Sequence, residues 1–243
     1  MKAQTVLKAE IQRMWITQRR YWFSALMNLI GFGVVSVGAW VALRKAFFRG
    51  EGLYRASATL LWPLVLVSFG AAASALKEDI EIGTIEQLYL SAPSVLDLLH
   101  IRAVVYFLDT LLSTLPLLLL AGYYLGWDIL ARWMIVQVVP LWGSLYGLGL
   151  ILAGLLLVYR RLGEATNLLY MGLMALAVIA LPAQGVWAWL QHLFPMVGVS
   201  AMPVWPQGWW LRYLAAGAYL WVGSGAFRRL EARAKRLGLI GKY

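Results

Sequence analysis

The chain has 243 residues, 62% of them apolar and 13% charged, with a mean hydropathy of +0.72 and a formal net charge of +10. A soluble domain of this size carries roughly 25% charged residues, so the composition excludes an ordinary globular enzyme and points to a surface that faces lipid. The absence of cysteine excludes disulfides, thiolate metal sites and thiol nucleophiles. The positive charge fits membrane topology and contact with membrane lipids, not nucleic acid, because no basic stretch carries the interleaved aromatics of a nucleic-acid surface.

In chain order, residues 1–22 read as a basic amphipathic helix lying in the membrane interface. Leu7, Ile11, Met14, Trp15 and Trp22 follow helical spacing, while Lys8, Gln12, Arg19 and Arg20 fall mostly elsewhere. This polar stretch and the long apolar segment after it do not form a cleaved signal peptide. Six apolar segments follow, each near the ~20 residues that cross a hydrocarbon core. They cover residues 23–43, 58–76, 103–124, 134–159, 165–182 and 209–227. The second is expected to carry Pro63 in its first turns, where a missing N–H is tolerated. It ends on Gly70-Ala-Ala-Ala-Ser74, a small-residue run that permits close helix packing. Arg228, Arg229, Arg233, Lys235 and Arg236 open a basic tail over 228–243. The predicted fold is therefore an all-α membrane protein, with a six-span transmembrane domain over 23–227.

Residues 183–208 contain no Lys, Arg, Asp or Glu and hold Trp187, Trp189, Pro195, Pro203, Trp205 and Pro206. Two readings stay open: a re-entrant segment packed against protein or lining a cavity, or a plain aromatic belt. Placing both termini in the cytoplasm puts fifteen of the basic residues inside and six outside, the asymmetry of a multi-pass protein of the cell membrane. The first outer loop opposes it, with Arg44, Lys45, Arg49 and Arg55 against Glu51.

The loop over 77–97 is the most informative segment. It reads Lys77-Glu-Asp-Ile-Glu81-Ile-Gly83-Thr84-Ile-Glu86-Gln87-Leu88-Tyr-Leu-Ser91-Ala-Pro93. Glu78, Asp79, Glu81, Glu86 and Asp97 are five of the eleven acids in an otherwise basic protein. Anionic lipid offers them no counter-charge, so a basic protein surface is expected to meet them. Thr84 and Gln87 have capping-box spacing, Gly83 lets the chain turn before them, and Glu86 stands in the first turn of the helix they open. Ile85, Leu88 and Tyr89 form one apolar face, and Pro93 ends the helix. Ser94 with Asp97 forms a second cap, leading into the third span.

The run Glu81-x-Gly83-Thr84-x-Glu86-x-Leu88, followed by Ser91-Ala-Pro93 and an apolar helix, resembles the first cytoplasmic loop of bacterial ABC type-2 exporter permeases. Leu181-Pro182, Trp189-Leu190-Gln191 and Pro195 are similar to that family's stretch before its last span. The chain departs from it at Phe194-Pro195-Met196, where an N-P-L is familiar, which leaves the substrate subfamily open. The resemblance implies six spans, an interfacial helix and cytoplasmic termini. It also implies that the helix over 84–90 is a coupling helix seated on a separate P-loop ATPase subunit. Glu78, Glu81, Gly83, Thr84, Glu86, Gln87, Leu88 and Pro93 would form that interface. ATP and Mg would sit on the partner, and the permease would act as a dimer with a second copy or a related permease. In keeping with this, the sequence has no G-x-x-x-x-G-K-[ST], so no ATP hydrolysis is expected on this chain.

Other candidates are weaker. Asp109 is the one acid well inside a span, where an ionised carboxylate costs roughly 2.5–3.5 kcal/mol on insertion scales. A packing residue is the simpler reading. A proton or cation site is the sharper one, and would make the chain a gradient-driven secondary transporter or channel. No inverted repeat supports that alternative. Glu164 and Asn167 read as an interfacial start to the fifth span. His100 and His192 fall on opposite sides, against a shared metal site, and no G-x-S-x-G or H-E-x-x-H run points to a hydrolase.

Overall fold

A computed structural model describes residues 3–20, 52–91, 94–125, 127–159 and 209–239, with isolated positions between 22 and 34 and between 168 and 172. Nearly all of these residues are helical and none forms a strand, so the described fold is all-α. The elements are α1 (Ala3–Arg20), α2 (Gly52–Glu81), α3 (Ile85–Ser91), α4 (Val95–Leu125), α5 (Trp127–Trp133), a π-helical turn (Met134–Val138), α6 (Val139–Val158) and α7 (Trp209–Arg236). Most of the expected first and fifth spans, and all of 183–208, lie outside the described residues. Among the described residues one stretch, Met134–Val158, is long and apolar enough by composition to cross a membrane.

Helices run past the apolar boundaries read from sequence. α2 starts at Gly52, so Pro63 lies in its interior and not in its first turns. At 30 residues α2 is about 45 Å long, more than the ~30 Å of a hydrocarbon core. Polar flanks join the helix because each further turn satisfies backbone N–H and C=O groups until something stops it. α7 likewise continues through the basic stretch, so residues 228–236 extend the same helix to Arg236. Its stop is Gly238, at φ +62, where a left-handed residue is needed. The Gly238 N–H reaches the Lys235 carbonyl and the Leu239 N–H reaches that of Ala234.

Side-chain pairs fix the directions. α4 is antiparallel to α6, since His100 meets Tyr146 and Phe107 meets Trp142. α6 and α7 are parallel: Gly143 faces Ala216, Gly147 faces Tyr219 and Leu220, and Gly154 faces Phe227 and Leu230. α2 and α4 form a hairpin through α3, and α2 approaches α6 where Phe69 meets Gly149. The expected small-residue run serves this contact, with Ala71, Ala72, Ala73 and Ala75 all buried. At three points only hydrogen fits. A Cβ on Gly147 would strike the Tyr219 carbonyl, one on Gly223 that of Gly147, and one on Gly149 that of Phe69.

At the start of α6, Pro140 removes an N–H and crowds the turn before it, and the backbone there widens into the π-helical turn Met134–Val138. In that register the Ile135 carbonyl would accept from the N–H that Pro140 lacks. The Tyr213 hydroxyl of α7 donates to it instead, at 2.6 Å. Beside it, buried Arg212 donates to buried Gln137.

The bundle has unlike ends. Where α2, α6 and α7 finish and α4 begins lie α1 with Lys8, Arg13, Arg19 and Arg20, and also Lys77, Arg102, Arg228, Arg229, Arg233, Lys235 and Arg236. The other end carries Arg55, Arg132 and Arg212, with Trp127, Trp133, Trp209 and Trp210. Between the ends, Val104, Leu108, Leu112, Leu115 and Leu119 form an exposed stripe on α4, while Thr114, Gln137 and Ser144 are buried. A contiguous apolar face of this kind marks contact with a membrane or a protein.

The close approach of α6 and α7 predicts that Gly147→Ala and Gly223→Ala each destabilise the fold by about 1–3 kcal/mol through overpacking. Gly217→Ala, whose Cβ meets nothing within 4 Å, should not destabilise and should gain up to about 1 kcal/mol from helix propensity. Thermal unfolding in mild detergent measures both.

Candidate functional site: the charged end of the bundle

α3 is placed by the way α2 ends. Gly83, at φ +77, takes the left-handed position that closes α2. Its N–H bonds the Ile80 carbonyl at 3.1 Å, and the Thr84 N–H bonds that of Asp79 at 2.9 Å. The Thr84 hydroxyl also turns back, donating to the same Asp79 carbonyl at 3.3 Å. No hydrogen bond joins Thr84 and Gln87 among the described residues, so the expected capping box is not formed there; the hydroxyl bonds back to the end of α2. Thr84 still opens α3 through its carbonyl, which accepts from the Leu88 N–H at 3.0 Å. At the next helix the expected cap forms, the Asp97 N–H donating to Ser94 Oγ at 3.2 Å.

The apolar face of α3 packs inward as the spacing predicted. Ile85 is fully buried, while Leu88 and Tyr89 are half-buried against the core. Lys235 Nζ of α7 stands 4.8 Å above the Tyr89 ring, so the last turns of α7 also touch α3. Outward on α3 stand Glu86 and Leu90, four residues apart, and Ile82 of the preceding turn is exposed as well, with Ile82 64% and Leu90 88% exposed.

The acids of this region find most of their counter-charges within the chain. Buried Arg102 is hydrogen-bonded to buried Asp79, and its Nε lies 3.0 Å from Glu10 of α1. Burial alone would lower the Arg102 pKa. The hydrogen bond to Asp79 and the charges of Glu10 and Asp79 outweigh it, and the pKa moves up. Arg13 of α1 meets Glu78 at 2.8 Å on the surface, and Lys77 meets Glu81 at 3.5 Å. Glu78, Asp79 and Glu81, expected to meet a basic surface from outside, thus already have basic partners within the chain: Arg13 of α1, Arg102 of α4 and Lys77 of α2. Glu86 is exposed with no ion pair among the described residues.

Of the residues singled out from sequence, Glu86 and Gln87 are exposed on α3, Leu88 packs inward, and Gly83 and Thr84 form the turn. Glu78 and Glu81 are held in their ion pairs, and Pro93 lies outside the described residues. Asp109 is half-buried about two turns further along α4 and does not belong to this cluster. Sequence reasoning missed Ile82 and Leu90, although their spacing of four from Glu86 was a usable signal. It also missed the pairing of Glu10 and Arg102, 92 residues apart, for which no local pattern exists.

His100 lies just inside this end. Burial lowers its pKa below the usual 6.5; nearby Asp97 opposes the shift and Arg228 of α7 adds to it. The ring shares a hydrogen bond with the Tyr146 hydroxyl through Nδ1, 3.0 Å away. His192 lies outside the described residues. Among the described residues no three His, Cys, Asp or Glu stand together as a metal site would require. No known protein family, curated protein or solved structure matches this chain.

Two outcomes follow. Arg102→Leu strands the Asp79 carboxylate and should cost about 3–5 kcal/mol, while the double variant Arg102→Leu/Asp79→Leu should recover much of it; denaturant unfolding of both measures the coupling. For His100 the fold favours the neutral ring, so its contribution is complete above the unfolded pKa of 6.5 and lost as pH falls below it. The melting temperature of the wild type should drop on acidification more than that of His100→Phe, with the curves parallel at higher pH.

Proposed function

We propose that this chain is the permease subunit of an ATP-binding-cassette exporter in the cell membrane, with six spans and both termini cytoplasmic. The observation that carries the proposal is α3 with the turn before it: a short helix between two long helices, with Ile85 buried, Glu86 and Leu90 exposed, and Ile82 of the turn exposed beside them. Such a surface fits the groove of a partner that pushes on it, and the loop that forms it is the part resembling the type-2 exporters. A separate P-loop ATPase subunit would hold ATP and Mg and seat this surface, with Glu81 and Gln87 at its margin. Two permease chains, identical or related, would enclose the pathway.

The number of spans is supported by where described elements begin and end. α1 is held at the charged end while α2 starts at the other, and α6 and α7 run parallel, which fits a first and a fifth span outside the described residues. The concentration of Lys and Arg at the end bearing α1 and α3 supports a cytoplasmic location for that end.

The test is purification from the native membrane in mild detergent, with mass spectrometry of what accompanies the chain. A stoichiometric P-loop ATPase is expected. Glu86→Lys/Leu90→Asp should reduce its recovery at least tenfold without loss of membrane insertion. Absence of any ATPase in several mild detergents would overturn the reading and make Asp109, with gradient-driven transport, the next hypothesis to test.

A further inference from the structure

We propose that a cleft between α4, α6 and α7 holds one anionic phospholipid, its phosphate on Arg228 and Arg229 and an acyl chain against Trp142 and Leu220. The inference rests on the membrane reading above but not on the ATPase partner. The cleft has a volume of about 650 Å³, within the usual range for ligand sites. Val104, Trp142, Leu220 and Val222 make most of its wall apolar, and His100, Tyr146, Ser224, Arg228 and Arg229 gather toward the charged end. Trp221 and Val222 line it yet stay largely exposed, so it opens sideways from the bundle.

Charge selects the occupant. Arg228 and Arg229 are exposed, and neither has an ion pair or side-chain hydrogen bond among the described residues. They are two guanidiniums without a counter-ion at one mouth, suited to bidentate contact with phosphate oxygens. Arg228 lies eight residues from Leu220, about 12 Å along α7, the separation of a headgroup from the upper part of its chain. A soluble anion would leave that apolar wall uncovered, and a zwitterionic lipid would place a second cation beside the arginines.

The experiment uses the full chain, stripped of lipid in a neutral detergent and titrated in native mass spectrometry. The probes are dioleoyl phosphatidylglycerol, dioleoyl phosphatidylcholine and inorganic phosphate. One phosphatidylglycerol should be retained per chain at concentrations where the other two are not. Arg228→Gln/Arg229→Gln should weaken its retention about thirtyfold. Arg233→Gln/Arg236→Gln, the same charge change at the same end but away from the cleft, should leave retention unchanged. Unfolding temperatures without lipid check that both variants fold. Equal retention of both lipids, equal loss in both variants, or equally tight binding of phosphate would overturn the lipid site alone. Release of the chain from membranes by alkaline carbonate would instead overturn the membrane reading, and the lipid site with it.

Discussion

The Arg102 guanidinium, enclosed between Asp79 and Glu10, is the contact on which the charged end depends. It joins three stretches with no local reason to meet: the end of α2, the start of α4 and the middle of α1. Removing three charges from water is costly, and only mutual pairing with good hydrogen bonds offsets it. The arrangement therefore tolerates little displacement of any member. Because Asp79 also lends its carbonyl to the turn at Gly83 and Thr84, the position of Arg102 and the exit angle of α3 are set together. On the proposed function, a push on α3 would be shared at once by α1, α2 and α4, since none can move far without stranding a buried charge.

Away from that end the bundle relies on closeness of backbones and not on charge. α6 is apolar all round, and it presents Gly143, Gly147 and Gly154 to α7 and Gly149 to α2. Where neighbours are as apolar as lipid, burying area gives no preference for one partner, and close van der Waals contact decides which helices pair. Several polar side chains are matched across helices: Tyr213 to the carbonyl left by Pro140, Gln137 to Arg212, Tyr146 to His100. These contacts fix the register of α7 against α6 more narrowly than leucines and alanines alone would.

How much of this was legible depended on range. The Gly83 turn, the inward face Ile85, Leu88 and Tyr89, the Ser94 cap and the small-residue run after Phe69 are written in spacings of three to five residues, and each is present. Gly143-x-x-x-Gly147 was equally visible as a packing motif and passed unread. Helix ends were misplaced because hydropathy reports where the apolar layer stops, whereas a helix stops only at a breaker such as Gly238. The Thr84 hydroxyl was assigned forward instead of back because two motifs overlap on one residue and local pattern cannot rank them. The acid pairings were not legible at all: Arg102 and Glu10 come together only through the fold. An acidic surplus read from sequence is therefore not yet an acidic surface.

That distinction sharpens what is left for a partner. Once Glu78, Asp79 and Glu81 are matched internally, the outward character of this end is not a patch of negative charge but two bare hydrocarbons, Ile82 and Leu90, with one carboxylate, Glu86, between them. On the membrane reading proposed above, lipid would cover the stripe from Val104 to Leu119, which lies along the length of α4, but it would be a poor cover for these three side chains. α3 sits at the basic end, which that reading puts level with headgroups, where a carboxylate would be repelled by anionic lipid and exposed leucine would gain nothing from water. A protein groove, apolar at its floor and basic at its centre, satisfies all three side chains together. The affinity of such a contact would come mainly from burying Ile82 and Leu90, with Glu86 choosing the partner and its orientation. On the proposed function, recognition through α3 would then be more a matter of shape and apolar area than the acidic sequence of the loop alone would imply.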